Sequence, residues 1–316
     1  MAKTQICHLL NIDLPIFQGG MAWISDADLA ASVSNAGGLG VIAGGNAEKH
    51  IVAAQIERIK TLTDKPYALN VMLLSPHADD IINLAIEKEV PIVITGAGSP
   101  GKYVERLKAA GIKIIPVVPS VALAKRMESL GVDALIAEGT EAGGHIGELT
   151  TMALVPQVVD AVKIPVVAAG GIGDGRGAAA AFMLGAVGIQ VGTRFLVSKE
   201  CNVHSNYKNM VMESKDTSAV VTGRPTGHPV RILKNKLYRK YVELEKSGAS
   251  LEELEALGAG TLRKAVVDGD VTYGSVMAGQ IAGLINKEQT SAEIIEEIFN
   301  ECETVIMKQF QWIASK

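Results

Sequence analysis

Eight short apolar runs, each followed by a glycine-bearing or polar loop and then a helix-like stretch, constrain this chain more than any other feature. They lie at 15–18, 38–43, 66–73, 91–95, 112–118, 133–137, 165–169 and 186–191, about 25 residues apart. Each is mostly apolar rather than strictly alternating, which reads as a strand buried on both faces of a parallel sheet. Pro15, Pro66, Pro91 and Pro165 each open a run, where a missing N–H is tolerated. Helical spacing covers 26–35, with Asp26 or Ser25 as N-cap, then 48–62, 78–87, 102–110, 121–130, 151–162 and 176–184. Eight strand–helix repeats predict an α/β fold, a (β/α)8 TIM barrel. A doubly wound open sheet is the competing arrangement. The regular repeat and the glycines clustered after strands favour the barrel.

The pattern breaks after Ser198. Residues 201–216 are polar and irregular, 231–240 are basic and 251–257 are acidic. The expected organisation is a barrel over 1–199, a smaller inserted subdomain beside its mouth over 200–272, and a return to the barrel over 273–316. That return carries a glycine-rich loop and a helix over 291–313 that closes the barrel.

A net charge of −4 implies no general attraction to nucleic acid. With 4% aromatic residues the chain does not suit a base-stacking platform either. No run approaches ~18 apolar residues and the start lacks an apolar signal segment, so no membrane span and a cytoplasmic location are expected. Cys7, Cys201 and Cys302 are odd in number and far apart, which does not suggest a disulfide framework. Cys201 and His204 are two potential ligands, too few for a zinc site, and no metal centre is expected.

In a barrel, loops at the C-terminal ends of strands build the active site. They contribute Gly19, Gly20, Met21, Asn70, Thr95, the segment 138–145, Gly170 to Gly173, and Gly192-Thr193. His145 stands alone among Gly139, Gly143, Gly144 and Gly147. A histidine there donates or accepts a proton near neutral pH; the plainer reading is a glycine-rich turn with an exposed histidine. The loops after the seventh and eighth strands are where barrels commonly bind phosphate through backbone N–H groups. The competing reading is that their glycines only make tight turns. Residues 96–102 fit G-x-G-x-x-G and nearly fit a P-loop, but Tyr103 occupies the magnesium-binding Ser/Thr position. The strand that follows offers no acidic residue for a ribose, so this stretch reads as a turn at a helix start.

Six segments then act together: PIFQGGMAW, LNVMLLSP, AEGTEAGGHIGELTTM, VVAAGGIGDG, QVGTRF and GSVMAGQIAG. Over nearly the whole chain they resemble the FMN-dependent enoyl-acyl carrier protein reductases of type II, within the nitronate monooxygenase (2-nitropropane dioxygenase-like) flavoproteins. The resemblance implies FMN across the barrel mouth. Gly20 and Met21 would offer backbone to the isoalloxazine, and Asn70 and Glu138 would hydrogen-bond flavin or ribityl atoms. Thr95, Gly143 and Gly144 would complete that side. Gly170, Gly171, Gly173, Gln190, Gly192 and Thr193 would cradle the phosphate, and Met277, Ala278, Gly279 and Gln280 would approach from the C-terminal loop.

His145 would be the catalytic residue. NADH or NADPH would reduce the flavin, which would pass hydride to the β-carbon of an enoyl-acyl carrier protein or another enoyl thioester. His145 would then serve the resulting enolate. The resemblance further implies a homodimer, and some members respond to a monovalent cation. The basic run at 231–240 would meet phosphopantetheine or an acidic carrier protein, unless it is a solvated helix face. Two other classes stay open: a nitronate oxygenase with His145 as base, and a lyase or isomerase binding a phosphorylated substrate.

Overall fold

The computed structural model describes residues 3–314. Its strands are β1 (Ile16–Gln18), β2 (Gly40–Ala43), β3 (Tyr67–Met72), β4 (Ile92–Gly96), β5 (Lys113–Val118), β6 (Leu135–Glu138), β7 (Gly144–His145), β8 (Val166–Ala169), β9 (Gly188–Val191), β10 (Ala219–Thr222) and β11 (Val230–Leu233). Eight of them pair in the order β1-β9-β8-β6-β5-β4-β3-β2, and every pairing in that sheet is parallel. A parallel bridge from Phe17 to Leu39 joins the two outer members. Gln18 N donates to Leu39 O at 3.0 Å there, and Leu39 N to Ile16 O at 2.8 Å. The sheet therefore closes on itself as a (β/α)8 barrel, not a doubly wound open sheet.

Burial on both faces explains the mostly apolar runs. One side of each strand faces a compact barrel interior built from Phe17, Val41, Ile94, Ile115, Ile136 and Val167. Ile6, Cys7 and Leu10 join this cluster from an N-terminal helix, Gln5–Leu10, that the sequence pattern did not reveal. The opposite side packs under the helices, with Leu69, Val93, Ile114, Leu135 and Ile189 in the larger cluster. Helix and strand approach closely: a Cβ on Gly40 would stand 1.8 Å from Ala30 O.

The N-caps follow local chemistry. Asp26, rather than Ser25, caps the helix Ala27–Asn35 through Leu29 N, and Asp174 caps Gly175–Met183 through Gly177 N. A carboxylate that accepts such an orphan N–H stabilises a helix by about 1 kcal/mol.

After β9 the chain leaves the barrel. Residues 201–216, expected to be irregular, contain the helix Ser205–Met212, with Tyr207 and Val211 buried. Two buried side chains in a short, otherwise polar segment give too weak a period to read from sequence. The ring of His204 caps this helix, Nδ1 accepting from Asn206 N at 3.1 Å. The antiparallel hairpin β10–β11 follows, and β11 pairs with β7. Helices Lys236–Ser247 and Leu251–Gly258 follow, and a π-helical turn spans Lys264–Asp268. The last helix, Ser291–Ala314, packs on Gly175–Met183, where a Cβ on Gly175 would meet Cys302 N at 2.4 Å. Ser291 also meets Ser32 of the first barrel helix at 2.7 Å, which completes the outer ring. Among the described residues no helix is long and apolar enough to cross a membrane.

Candidate active site

Strand parity decides what reaches the barrel mouth. Leu69 and Val71 face the helix layer, so Asn70 between them points inward. The same alternation turns Glu138 inward beyond Ile136, and Gln190 inward between Ile189 and Val191. These three polar side chains line a cavity of about 490 Å³ over the C-terminal strand ends, a size that suits a cofactor or small ligand.

The first wall is the loop after β1. A Cβ on Gly20 would stand 2.5 Å from Asn70 Cβ, so only glycine lets this backbone pass over Asn70. Gln18, which the sequence reading gave no role, and Ser25, read there only as a candidate N-cap, hold the loop. Gln18 Nε2 donates to Gly19 O and to Ser25 Oγ, the latter at 2.7 Å. Val41 N donates to Gln18 Oε1 at 3.0 Å, and Met21 N to Ser25 Oγ at 2.8 Å.

The second wall carries His145. Glu141 accepts from Thr151 N at 3.0 and 2.9 Å and from Thr151 Oγ1 at 2.9 Å, anchoring the loop to the N-terminus of helix Thr151–Ala161. A carboxylate at that helix end is favoured by the macrodipole as well. Glu141 lies within the 138–145 segment expected at the mouth, but the sequence reading gave it no role. Gly143 lies against the 277–280 loop, where a Cβ would be 2.7 Å from the Ala278 carbonyl carbon. Gln280 N donates to Glu141 O and Gly279 N to Thr193 Oγ1, both at 2.9 Å. Loops distant in sequence are thus pinned to one another by backbone contacts.

Of the expected site residues, His145, Gly20, Met21, Asn70, Glu138, Gly143 and Gly144 line this cavity, with Gly170, Gly171, Gln190, Gly192, Thr193, Met277 and Gly279. Four do not. Thr95 shares the outward side of β4 with Val93, and its buried hydroxyl has no partner among the described residues. Ala278 is buried behind Gly143, Gln280 is exposed, and Gly173 lies under Ile281, 3.0 Å from where its Cβ would stand. Thr95 was assigned by its position at a strand end, without regard to parity. The 96–102 stretch is a turn before helix Gly101–Ala109, as expected, and it brings Gly96, Ala97 and Gly98 to the cavity rim.

Burial sets the electrostatics. The Glu138 carboxyl is pushed up to about 7 by desolvation and has no hydrogen bond from the described residues. His145 is open to the cavity. Its imidazole is held below the ordinary histidine value, first by loss of bulk water among the loop walls and then by the charge of His228. His228, on the approach to β11, also lines the cavity and was not anticipated.

A closed parallel barrel, with glycine backbone, three inward polar side chains and two open histidines at its mouth, defines an enzyme of the TIM-barrel class that binds its ligand over the strand ends. The model of the family described as nitronate monooxygenase matches residues 3–301, and the chain belongs to that family. It is an oxidoreductase of the flavoprotein type. A probable nitronate monooxygenase from Staphylococcus saprophyticus is 35% identical, over 96% of this chain and 99% of its own. A 5-hydroxy-7a-methyl-1-oxo-octahydro-1H-indene-4-carboxyl-CoA dehydrogenase from Mycobacterium tuberculosis is 32% identical, over 94% of this chain and 95% of its own. The solved structure of FabK from Thermotoga maritima superposes with a TM-score of 0.96 at 46% identity, covering 99% of this chain and all (100%) of that one. A nitroalkane oxidase from Streptomyces ansochromogenes gives 0.86 at 27% identity, over 96% of this chain and 99% of its own.

Proposed function

We propose that the protein is an FMN-dependent enoyl-thioester reductase of fatty acid synthesis, acting on enoyl-acyl carrier protein with NADH or NADPH as reductant. The full-length likeness to FabK, an enoyl-acyl carrier protein reductase, at 46% identity carries this reading.

The residues fit the cofactor. Gln190 Oε1 is a buried acceptor with no partner among the described residues, a vacancy that costs stability unless a ligand N–H fills it. Glu138 adds an inward carboxyl without a partner among the described residues. Gly192 leaves open space toward the cavity, with only Met21 Sδ near its Cβ position, at 3.7 Å. Gly170 and Gly171 take left-handed backbone, φ 89° and 71°, and so turn the loop after β8 tightly at the mouth. In this reading Gly192 and the loop after β8 hold the phosphate, while Gly20, Met21, Asn70, Glu138 and Gln190 hold the ring and ribityl chain. Bound FMN would supply hydride at the mouth. His145 stands open beside that space, on a loop braced by Glu141 and the 277–280 segment. It hydrogen-bonds the thioester oxygen as negative charge develops and delivers the proton that the α-carbon takes.

One observation favours a second reading. An imidazole held below its ordinary value is neutral at pH 7 and suits a base, the role His145 would have in taking the α-proton of a neutral nitroalkane, so that its nitronate could be oxidised with flavin and O2. Anaerobic reduction by NADH and by NADPH, followed by mixing with crotonyl thioester or with O2 and a nitronate, separates the two. Fast reoxidation by crotonyl thioester is expected. Reoxidation by O2 alone, with a crotonyl thioester inert, decides for the oxygenase.

A further inference from the structure

The ladder between β11 and β7 places Val230 opposite His145 and Arg231 opposite Gly144. One step on, Ile146 N donates to Pro229 O at 3.2 Å, which sets His228 opposite Gly147. Side chains two apart on a strand share a face. His145 and His228 are therefore diagonal neighbours on one face of the ladder, with Cα atoms roughly 7–8 Å apart. Both rings are exposed, and both line the cavity.

The hairpin that carries His228 is tied to the His145 loop at two further points. Arg224 Nη1 donates to Glu148 Oε1 at 2.9 Å. The buried Arg231 donates through Nη2 to Thr140 O, also at 2.9 Å. The spacing of the two rings is thus built into the backbone rather than left to loop motion.

We propose that His228 is a second proton-carrying residue of this site, holding the positive charge that faces the substrate oxyanion while His145 works at the reacting carbon. The proposal rests on the reading that a conjugated oxyanion, the enolate of a thioester, forms here. A neutral His145 has one N–H proton to give and cannot give it alone without becoming an imidazolate. With His228 protonated the step balances. Bound reduced flavin would supply the hydride of the new Cβ–H bond, and the C=C electron pair would move onto the thioester oxygen. As that pair returns to form the Cα–H bond, His145 passes its N–H proton to the α-carbon. Its other ring nitrogen accepts the proton of His228, directly or through one water. The pair starts with one positive charge and ends neutral, and solvent recharges it.

The other charged groups around the pair are engaged elsewhere. Glu148 is paired with Arg224, Glu141 with Thr151, and Arg231 with the Thr140 carbonyl. Glu138, facing inward from β6, is neutral up to about 7. Glu141 and Glu148, both engaged, do not take the place of His228 as proton source, and Glu138 sits on β6 rather than on the ladder that carries the two histidines.

The test uses the full-length FMN-loaded protein with His228→Gln and His228→Lys. Imidazole NMR titration, with His145→Gln to identify the His145 resonance, needs no turnover. Loss of the His228 charge is expected to move the His145 midpoint upward. Stopped-flow reoxidation by crotonyl-CoA is then followed across pH. Wild-type protein is expected to slow as pH rises. His228→Gln is expected to be at least about tenfold slower at neutral pH, with that limb gone. His228→Lys, which keeps a positive charge over the range, is expected to recover part of the rate with a flatter profile. An unchanged reoxidation profile in His228→Gln overturns the proposal, whatever the titration shows. If crotonyl-CoA fails to reoxidise even the wild-type protein, the reductase reading falls. The proposal, which needs an enolate oxyanion, then falls with it.

Discussion

Gly192 faces Met21 across the cavity, and among the described residues Met21 Sδ, at 3.7 Å, is the one atom that a Cβ at Gly192 would meet within 4 Å. Its φ of −106° is open to any residue, so nothing in the fold requires glycine there. The space belongs to whatever sits over the strand ends. Gly192→Val is expected to fold with a melting temperature near wild type and to purify without flavin. Gly143 is the contrast, because its Cβ would press on the Ala278–Gly279 backbone at 2.7 and 2.8 Å. Gly143→Val should cost about 1–3 kcal/mol of stability by overpacking. Flavin absorbance and thermal melts on both variants check this; a yellow, fully loaded Gly192→Val protein places the phosphate elsewhere.

His145 separates the two half-reactions. Reduction by NAD(P)H needs no proton from it, whereas the enolate does. His145→Ala is expected to retain FMN, to be reduced at near the normal rate, and to lose roughly 10²–10⁴-fold in reoxidation by enoyl thioester. Stopped-flow absorbance reads both phases in one preparation. An unchanged enoyl phase would remove His145 from the chemistry, and loss of bound FMN would make it a cofactor-site residue.

Glu138 makes the flavin-free protein sensitive to pH. Its carboxyl holds a proton up to about 7 when folded, against an ordinary value of about 4.3 in the unfolded chain. Between these values the native state binds the extra proton, so stability falls as pH rises through that window and levels off above it. The loss is on the order of 3–4 kcal/mol at most. Glu138→Gln should flatten the curve between pH 4.5 and 7, which urea titrations of the stripped protein at several pH values would show. A slope unchanged in the variant assigns the dependence to another group.

Thr95 tests the parity argument. Its hydroxyl is buried on the helix side of β4 without a partner among the described residues. Thr95→Val removes an unsatisfied polar group at constant shape and is expected to be neutral or to stabilise by about 1 kcal/mol. Flavin occupancy should not change. A marked fall in FMN affinity would mean that the Thr95 hydroxyl reaches the cofactor after all.

The barrel was legible because its strands are buried on both faces, and a run such as Val166–Ala169 carries that in four letters. Helix ends were legible to within a residue or two because caps such as Asp26 and Asp174 act over one turn of chain. The loops that reach the mouth were legible too, since glycine and a lone histidine after a strand are local signals. The helix Gln5–Leu10 was not, because its apolar face is defined only by the barrel end it plugs.

The sequence by itself determined the eight repeats, their direction and the segments that gather at one end, because these follow from local periodicity and from the rule that parallel strands share a pole. Tertiary structure alone decided which side of a strand a residue faces. It turned Asn70 and Gln190 inward and Thr95 outward, since the alternation has meaning only once a barrel has an inside. It alone brought His228 beside His145 through the pairing of β11 with β7, and braced that loop with Glu141, Thr193 and Arg231. Hydrogen bonds between segments far apart in the chain leave no period and no motif, so only the closed barrel reveals them.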